Sequence, residues 1–259
     1  PSFGPYGPLA AQWLRDQGIS VRELVPNAQT LELGRKECTS KEYYSFASLL
    51  GVSLAAVEGA DAKGPVRQLL LPSSQGGEAD GQFDRVVRSV LDAKGYAYVR
   101  VIAPDVELLP CNLDDPEGFF VHILAGDVVW AAAPEARSEL RKRLAKPSLT
   151  LDDVLAAARE VGAAAGAGAT AFSKDLGSSC ARNVAEELNL KTSGASARDA
   201  CSAAGGARKT LAVVGEWPLV AGDELTGGLF AQLEAEGYRV VRAPFAEYLL
   251  FIWEDGCDE

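Results

Sequence analysis

The chain has 259 residues, of which 47% are hydrophobic and 24% are charged, and its formal net charge is −11 at pH 7. This composition excludes a chain that is disordered throughout, because enough apolar surface is present to offset the entropy of an ordered backbone. The negative charge argues against nucleic acid and anionic membranes as partners, since both are bound through basic patches. The single histidine, His122, excludes a metal site built from several histidines.

Five cysteines are scattered along the chain, at positions 38, 111, 180, 201 and 257. No two of them form the C-x-x-C pair that is typical of redox, ribbon-type zinc and ferredoxin-like iron sites. An odd number of widely spaced cysteines indicates reduced thiols and predicts a cytoplasmic protein. Because no stretch of about 18 apolar residues occurs, the sequence predicts no membrane-spanning helix.

The first part of the chain predicts two helices with a strand between them. Apolar residues at helical spacing predict a helix over residues 8–17 and another over residues 40–57, with Ser40 as its N-cap. A short apolar stretch predicts a strand over residues 20–25. A helix followed by a strand is typical of an α/β layer structure.

Two strand–helix–strand units are predicted further along the chain. The first has strands over residues 68–71 and 98–103, and the second has strands over residues 210–214 and 238–242. In both units an amphipathic helix separates the strands, so we expect parallel pairing and a right-handed crossover.

Between these units, residues 115–206 predict a mostly helical segment, which Pro134 and Pro147 break because proline lacks a backbone N–H. A final helix is predicted over residues 245–253. The fold class is therefore α/β, with two Rossmann/flavodoxin-like lobes that contain parallel sheets and with a helical middle segment. The predicted divisions are an N-terminal α/β lobe at 1–110, a helical segment and connector at 111–206, and a C-terminal α/β lobe at 207–259.

Two loops follow predicted strands, at the sheet edge where ligands bind in parallel α/β folds. The loop at residues 73–81 is rich in small residues and opens a helix, whose N-terminus favours an anion. The loop at residues 215–218 places Glu216 beside Trp217. Each loop also fits an ordinary strand-to-helix turn, so both interpretations stay open.

Five short segments occur in the order in which a known family carries them. The chain opens with P-S-F-G-P-Y-G-P and continues with T-L-E-L-G-R from residue 30. Near its end it has V-G-E-W-P, E-A-E-G-Y-R-V and A-P-F-A-E-Y, from residues 214, 234 and 243. In these segments the chain resembles the D-component of the 2-hydroxyacyl-CoA dehydratases, in the version fused to or associated with acyl-CoA dehydratase activases. The resemblance covers both ends of the chain and not its helical middle.

Two further segments resemble family motifs that carry cysteines. The family motif T-S-G-x-E-C-x-P corresponds here, with one position missing before the glutamate, to T-S-K-E-Y-Y-S from residue 39, and P-x-S-C-G-P-C-R-F-G-Q-Y corresponds to P-S-S-Q-G-G-E-A-D-G-Q-F from residue 72. The resemblance implies that these cysteines hold an iron–sulfur cluster, which passes one electron to a CoA-thioester substrate. In this chain the matching residues are Tyr43, Gln75 and Glu78. None of them is the soft thiolate that such a cluster needs, so we expect no cofactor.

The resemblance and the loop positions together predict a binding site. They do not identify catalytic residues. The expected ligand-binding residues, several of them lining a cleft between the lobes, are Glu42, Tyr43, Ser73, Ser74, Gln75, Gly76, Glu78 and Glu216. We expect a cluster-free binding or partner module, whose protein partner is of the activase or dehydratase type. Its expected ligand is a small molecule or a CoA thioester.

Two alternatives use other residues. In the first, Cys38 and further cysteines hold an atypical [4Fe-4S] cluster, and the protein is a redox enzyme or accessory of CoA-thioester dehydration. In the second, the carboxylates of Glu42, Glu78 and Glu216 form a site for Mg²⁺ or Ca²⁺, since hard oxygen donors suit these ions.

Overall fold

The computed structural model describes residues 4–38, 43–59, 65–71, 79–105, 113–164, 209–215, 220–221, 226–242, 244–246 and 249. The helices in this part of the chain are α1 (Tyr6–Asp16), α2 (Ala28–Glu37), α3 (Tyr44–Glu58), α4 (Phe83–Ala93), α5 (Pro116–Ala131), α6 (Pro134–Leu144), α7 (Leu151–Ala164) and α8 (Leu229–Ala235). The strands are β1 (Gln68–Leu70), β2 (Arg100–Ile102), β3 (Thr210–Val213) and β4 (Arg239–Arg242). The fold therefore mixes helices with short parallel strands.

Contacts divide the chain into two units that interleave along the sequence. Unit 1 comprises residues 1–7, 22–114 and 215–228, and unit 2 comprises residues 8–21, 115–214 and 229–259. The predicted three-part division and the predicted Rossmann-like lobes stay predictions, because each sheet in the described part of the chain contains two strands.

Both predicted strand–helix–strand units are present with parallel pairing. In unit 1, β1 pairs with β2 with Leu69 opposite Val101, and α4 lies between them in the sequence. In unit 2, β3 pairs with β4 with Leu211 opposite Val240, and α8 lies between them. The apolar residues that predicted these strands and helices therefore also specify their pairing.

The predicted strand over residues 20–25 is wrong. Residues 19–27 have neither helix nor strand, and they lead into α2, which the sequence did not predict. A capping box begins this helix, because Asn27 Oδ1 accepts from the Thr30 backbone N–H and Thr30 Oγ1 accepts from the Asn27 N–H, each at 2.9 Å. These local hydrogen bonds satisfy the backbone N–H groups of Asn27 and Thr30 at the start of α2.

Within the described residues, the other predicted helices are confirmed with shifted ends, and residues 165–206 of the predicted helical segment and connector lie outside them. The helix predicted over 8–17 is α1, and that predicted over 40–57 is α3, which begins at Tyr44. Ser40, its predicted cap, lies outside the described residues. Pro134 stands at the first position of α6, where its missing N–H costs nothing. Of the final predicted helix, the described residues 245, 246 and 249 are helical.

The core of unit 1 lies between the sheet and the helices α3 and α4. Val87 and Leu91 are one helical turn apart on α4, and both are fully buried against the inward side chain of Leu69. The buried members of this core are Phe46, Leu50, Leu54, Val57, Leu69, Leu71, Val87, Leu91 and Val99. This core packs α3 and α4 against β1.

Helices α2 and α3 cross with their backbones in contact. An ideal Cβ built on Gly34 would lie 1.8 Å from the Ala47 carbonyl oxygen, and one built on Gly51 would lie 1.8 Å from the Thr30 carbonyl oxygen. Real Cβ atoms never come this close to another heavy atom, so only glycine fits at either position. The small residues stand four apart on each helix, which places them on one face.

Unit 2 has a second core, formed mainly by α5, α6 and α7. Its buried members are Leu9, Val121, Ala125, Val128, Val129, Ala132, Leu140, Leu144, Leu149, Val154 and Ala157.

In the described part of the chain, no helix is both long enough and apolar enough to cross a membrane.

Two arginines tie the helices of unit 2 to its strand–helix–strand unit. Arg137 on α6 donates to both carboxylate oxygens of Glu234 on α8, at 3.0 and 2.8 Å, in a pair that is largely shielded from solvent. Arg242 on β4 places its guanidinium carbon 3.5 Å from the ring centre of Trp130 and 4.3 Å from that of Phe230. Bidentate pairs and guanidinium–aromatic stacking both depend on the planar group of arginine.

Asp153, in the first turn of α7, predicts a pH dependence of stability. A hydrogen bond from Lys146, at 2.7 Å, and then those from the Thr150 hydroxyl and N–H lower the pKa of Asp153 from 3.8 to about 2. Because the folded pKa is the lower one, the stability that this carboxylate contributes is present above pH 3.8 and is lost as the pH falls through about 2.

The measurement is the melting temperature of wild-type protein and of Asp153→Asn between pH 7 and pH 2. We expect the wild type to melt higher above about pH 4, and the difference to shrink towards pH 2. The neighbouring exposed carboxylate supplies the control variant, Asp152→Asn. A difference between wild type and Asp153→Asn that stays constant over the whole range would refute this assignment.

Candidate functional site

Among the predicted ligand-binding residues, Tyr43 is the one that lies in the described part of the chain. It is the N-cap of α3, with φ −66° and ψ 150°, and its side chain is 51% exposed. Its side chain makes no capping hydrogen bond, and the first turn of α3 contains no acidic residue. Within the described residues, neither the N-cap side chain nor an acidic residue of the first turn offsets the partial positive charge at the start of this helix.

The start of α4 lies beside the start of α3. The rings of Phe46 on α3 and Phe83 on α4 are 5.1 Å apart between centres, with 50° between their planes. Gln82, the N-cap of α4, also makes no side-chain capping bond, whereas Asp84 provides negative charge in the first turn. The two segments in which the resemblance places cluster cysteines thus lead into neighbouring helix starts, and of their two first turns the one with an acidic residue is that of α4.

A cation stands next to the start of α3. The guanidinium carbon of Arg35, on α2, lies 5.2 Å from the ring centre of Tyr44. The Tyr44 side chain is 36% exposed, so this stack borders solvent. Arg35 therefore places a positive charge against Tyr44, the first residue of α3 and the neighbour of Tyr43 in the sequence.

Cys38 is the one cysteine within the described residues. It forms the C-cap of α2 and donates its backbone N–H to the Gly34 carbonyl at 3.1 Å. The residue is partly buried and packs against the core of unit 1. Across the described ranges, no three or more His, Cys, Asp or Glu side chains come together as a set that could hold a metal ion.

The remaining predicted site residues lie outside the described residues. They are Glu42, Ser73, Ser74, Gln75, Gly76, Glu78 and Glu216. The predicted oxygen-donor site and the cysteines of the predicted atypical cluster other than Cys38 lie there too.

The sequence did not single out Arg35 and Tyr44, which the structure brings into contact. Arg35 is nine residues from Tyr44 and on another helix, so no local spacing connects them. The signal that could have found the pair is the four-residue spacing from Thr30 to Gly34 and from Ala47 to Gly51, which predicts a close helix crossing.

No family model matches this chain, and neither a curated protein nor a solved structure matches it.

Proposed function

We propose that this protein is a divergent relative of the 2-hydroxyacyl-CoA dehydratase and activase family, and that it serves as a cluster-free binding or partner module. The observation that carries the proposal is the chemistry at the three positions where the resemblance implies thiolate ligands. They hold Tyr43, Gln75 and Glu78, and none supplies sulfur. Rossmann-like lobes belong to the same proposal, and the parallel pairs β1–β2 and β3–β4 are compatible with them.

The local structure supports this reading at the first of the three positions. Tyr43 is the N-cap of α3 and its side chain makes no capping hydrogen bond, so a cysteine at this position would stand at the N-terminus of the same helix. A thiolate near a helix N-terminus is stabilised as the anion. The tyrosine removes that ligand and leaves an exposed aromatic ring in its place.

The ligand that we propose is an anionic CoA thioester, bound at the start of α3. Its phosphates would bind near the N-terminal end of the α3 dipole and the guanidinium of Arg35, and the exposed ring of Tyr43 offers a face for stacking. The protein carries a net charge of −11, so this positive region is a local exception to the charge of the whole chain.

The test is a calorimetric titration of purified protein with acetyl-CoA, repeated with Arg35→Ala and Lys36→Ala. We expect wild-type protein to bind, and Arg35→Ala to weaken binding about fivefold, since an exposed ionic contact contributes up to about 1 kcal/mol. Lys36→Ala removes the same charge from the next position of α2, and it should leave the affinity within about twofold of wild type.

Three results would count against the ligand assignment. Absence of binding at millimolar acetyl-CoA would contradict the assignment of a CoA thioester as the ligand. Equal weakening by the two variants would show that overall charge, rather than Arg35, governs the affinity. Unchanged binding by Arg35→Ala would show that the ligand does not bind beside Arg35 at the start of α3.

A further inference from the structure

We draw no further inference here: the strongest candidate, the buried imidazole of His122 on α5 in unit 2, whose Nδ1 bonds to the Gly118 carbonyl and whose Nε2 has no hydrogen-bond partner among the described residues, carries nothing because no ligand, cavity or charged group in that part of the structure is shown to face this nitrogen.

Discussion

Replacing Gly51 with alanine is expected to lower the free energy of unfolding by about 3 kcal/mol, the upper end of what overpacking a well-packed core typically costs. The new Cβ would lie 1.8 Å from the Thr30 carbonyl oxygen and 2.9 Å from the Gly34 nitrogen. Both contacts are with backbone, which cannot rotate away as a side chain does. The helices α2 and α3 would have to separate, and the contacts along their crossing would be lost.

The sign of the change in stability distinguishes overpacking at the helix crossing from the effect of helix propensity. At an unconstrained position in a helix interior, glycine to alanine stabilises by about 1 kcal/mol. The measurement is urea denaturation of wild type, Gly51→Ala, Gly34→Ala and the control Glu32→Ala, an exposed position of α2. We expect both glycine variants to unfold at much lower urea and Glu32→Ala to stay within about 0.5 kcal/mol of wild type. A stabilising effect of either glycine variant would contradict the backbone contact.

Replacing Asp127 with alanine is expected to cost about 3 to 5 kcal/mol. The carboxylate is 4% exposed on α5, and it accepts from the backbone N–H groups of Phe245 at 2.8 Å and Ala246 at 3.1 Å. Hydrogen bonds to a charged group contribute about 1.5 to 3 kcal/mol each, and alanine leaves both donors without this acceptor. Asp127 thereby holds a helical turn that is 118 residues away in the sequence.

Two variants make the result specific. Asp127→Asn keeps one acceptor oxygen, so its free energy of unfolding should lie between those of wild type and Asp127→Ala. Glu139→Ala removes a carboxylate of α6 that is 83% exposed, and it should change the free energy of unfolding by about 0.5 kcal/mol or less. If Asp127→Ala unfolded within about 1 kcal/mol of wild type, the two backbone hydrogen bonds would not have the role given to them here.

The parallel pairs could be predicted because their signals are local. Apolar strands stand on either side of helices such as α4, in which Val87 and Leu91 repeat at helical spacing. A strand–helix–strand order then leaves parallel pairing as the normal solution. The local pattern did not predict the number of strands in each sheet, because that number depends on contacts between distant segments.

The error over residues 20–25 has the same physical origin. Leu24 packs against the core of unit 1 and Val25 is 53% exposed, an alternation that also fits a strand. A strand, however, requires a partner for its backbone, and the sequence could not supply one. The capping signal that Asn27 and Thr30 provide was available and would have predicted α2.

The candidate site could be predicted in part. The sequence led to Tyr43 through a motif comparison, and in the structure this residue is the N-cap of α3, whose start lies beside that of α4. Arg35 could not be inferred, because its position next to Tyr44 depends on the close crossing of α2 and α3. Binding residues that come from separate helices are found only when the packing of those helices is known.

Iron and acid-labile sulfide, measured per chain in protein purified without oxygen and incubated with ferrous iron and sulfide, test the absence of a cluster most directly. A variant with Tyr43→Cys, Gln75→Cys and Glu78→Cys supplies the comparison, and one with Tyr44→Cys, Ser74→Cys and Ala79→Cys controls for added thiols. We predict a colourless wild type without stoichiometric iron, and iron with sulfide in the first variant above the level of the control. Wild-type protein that is brown and holds a full cluster would contradict the account.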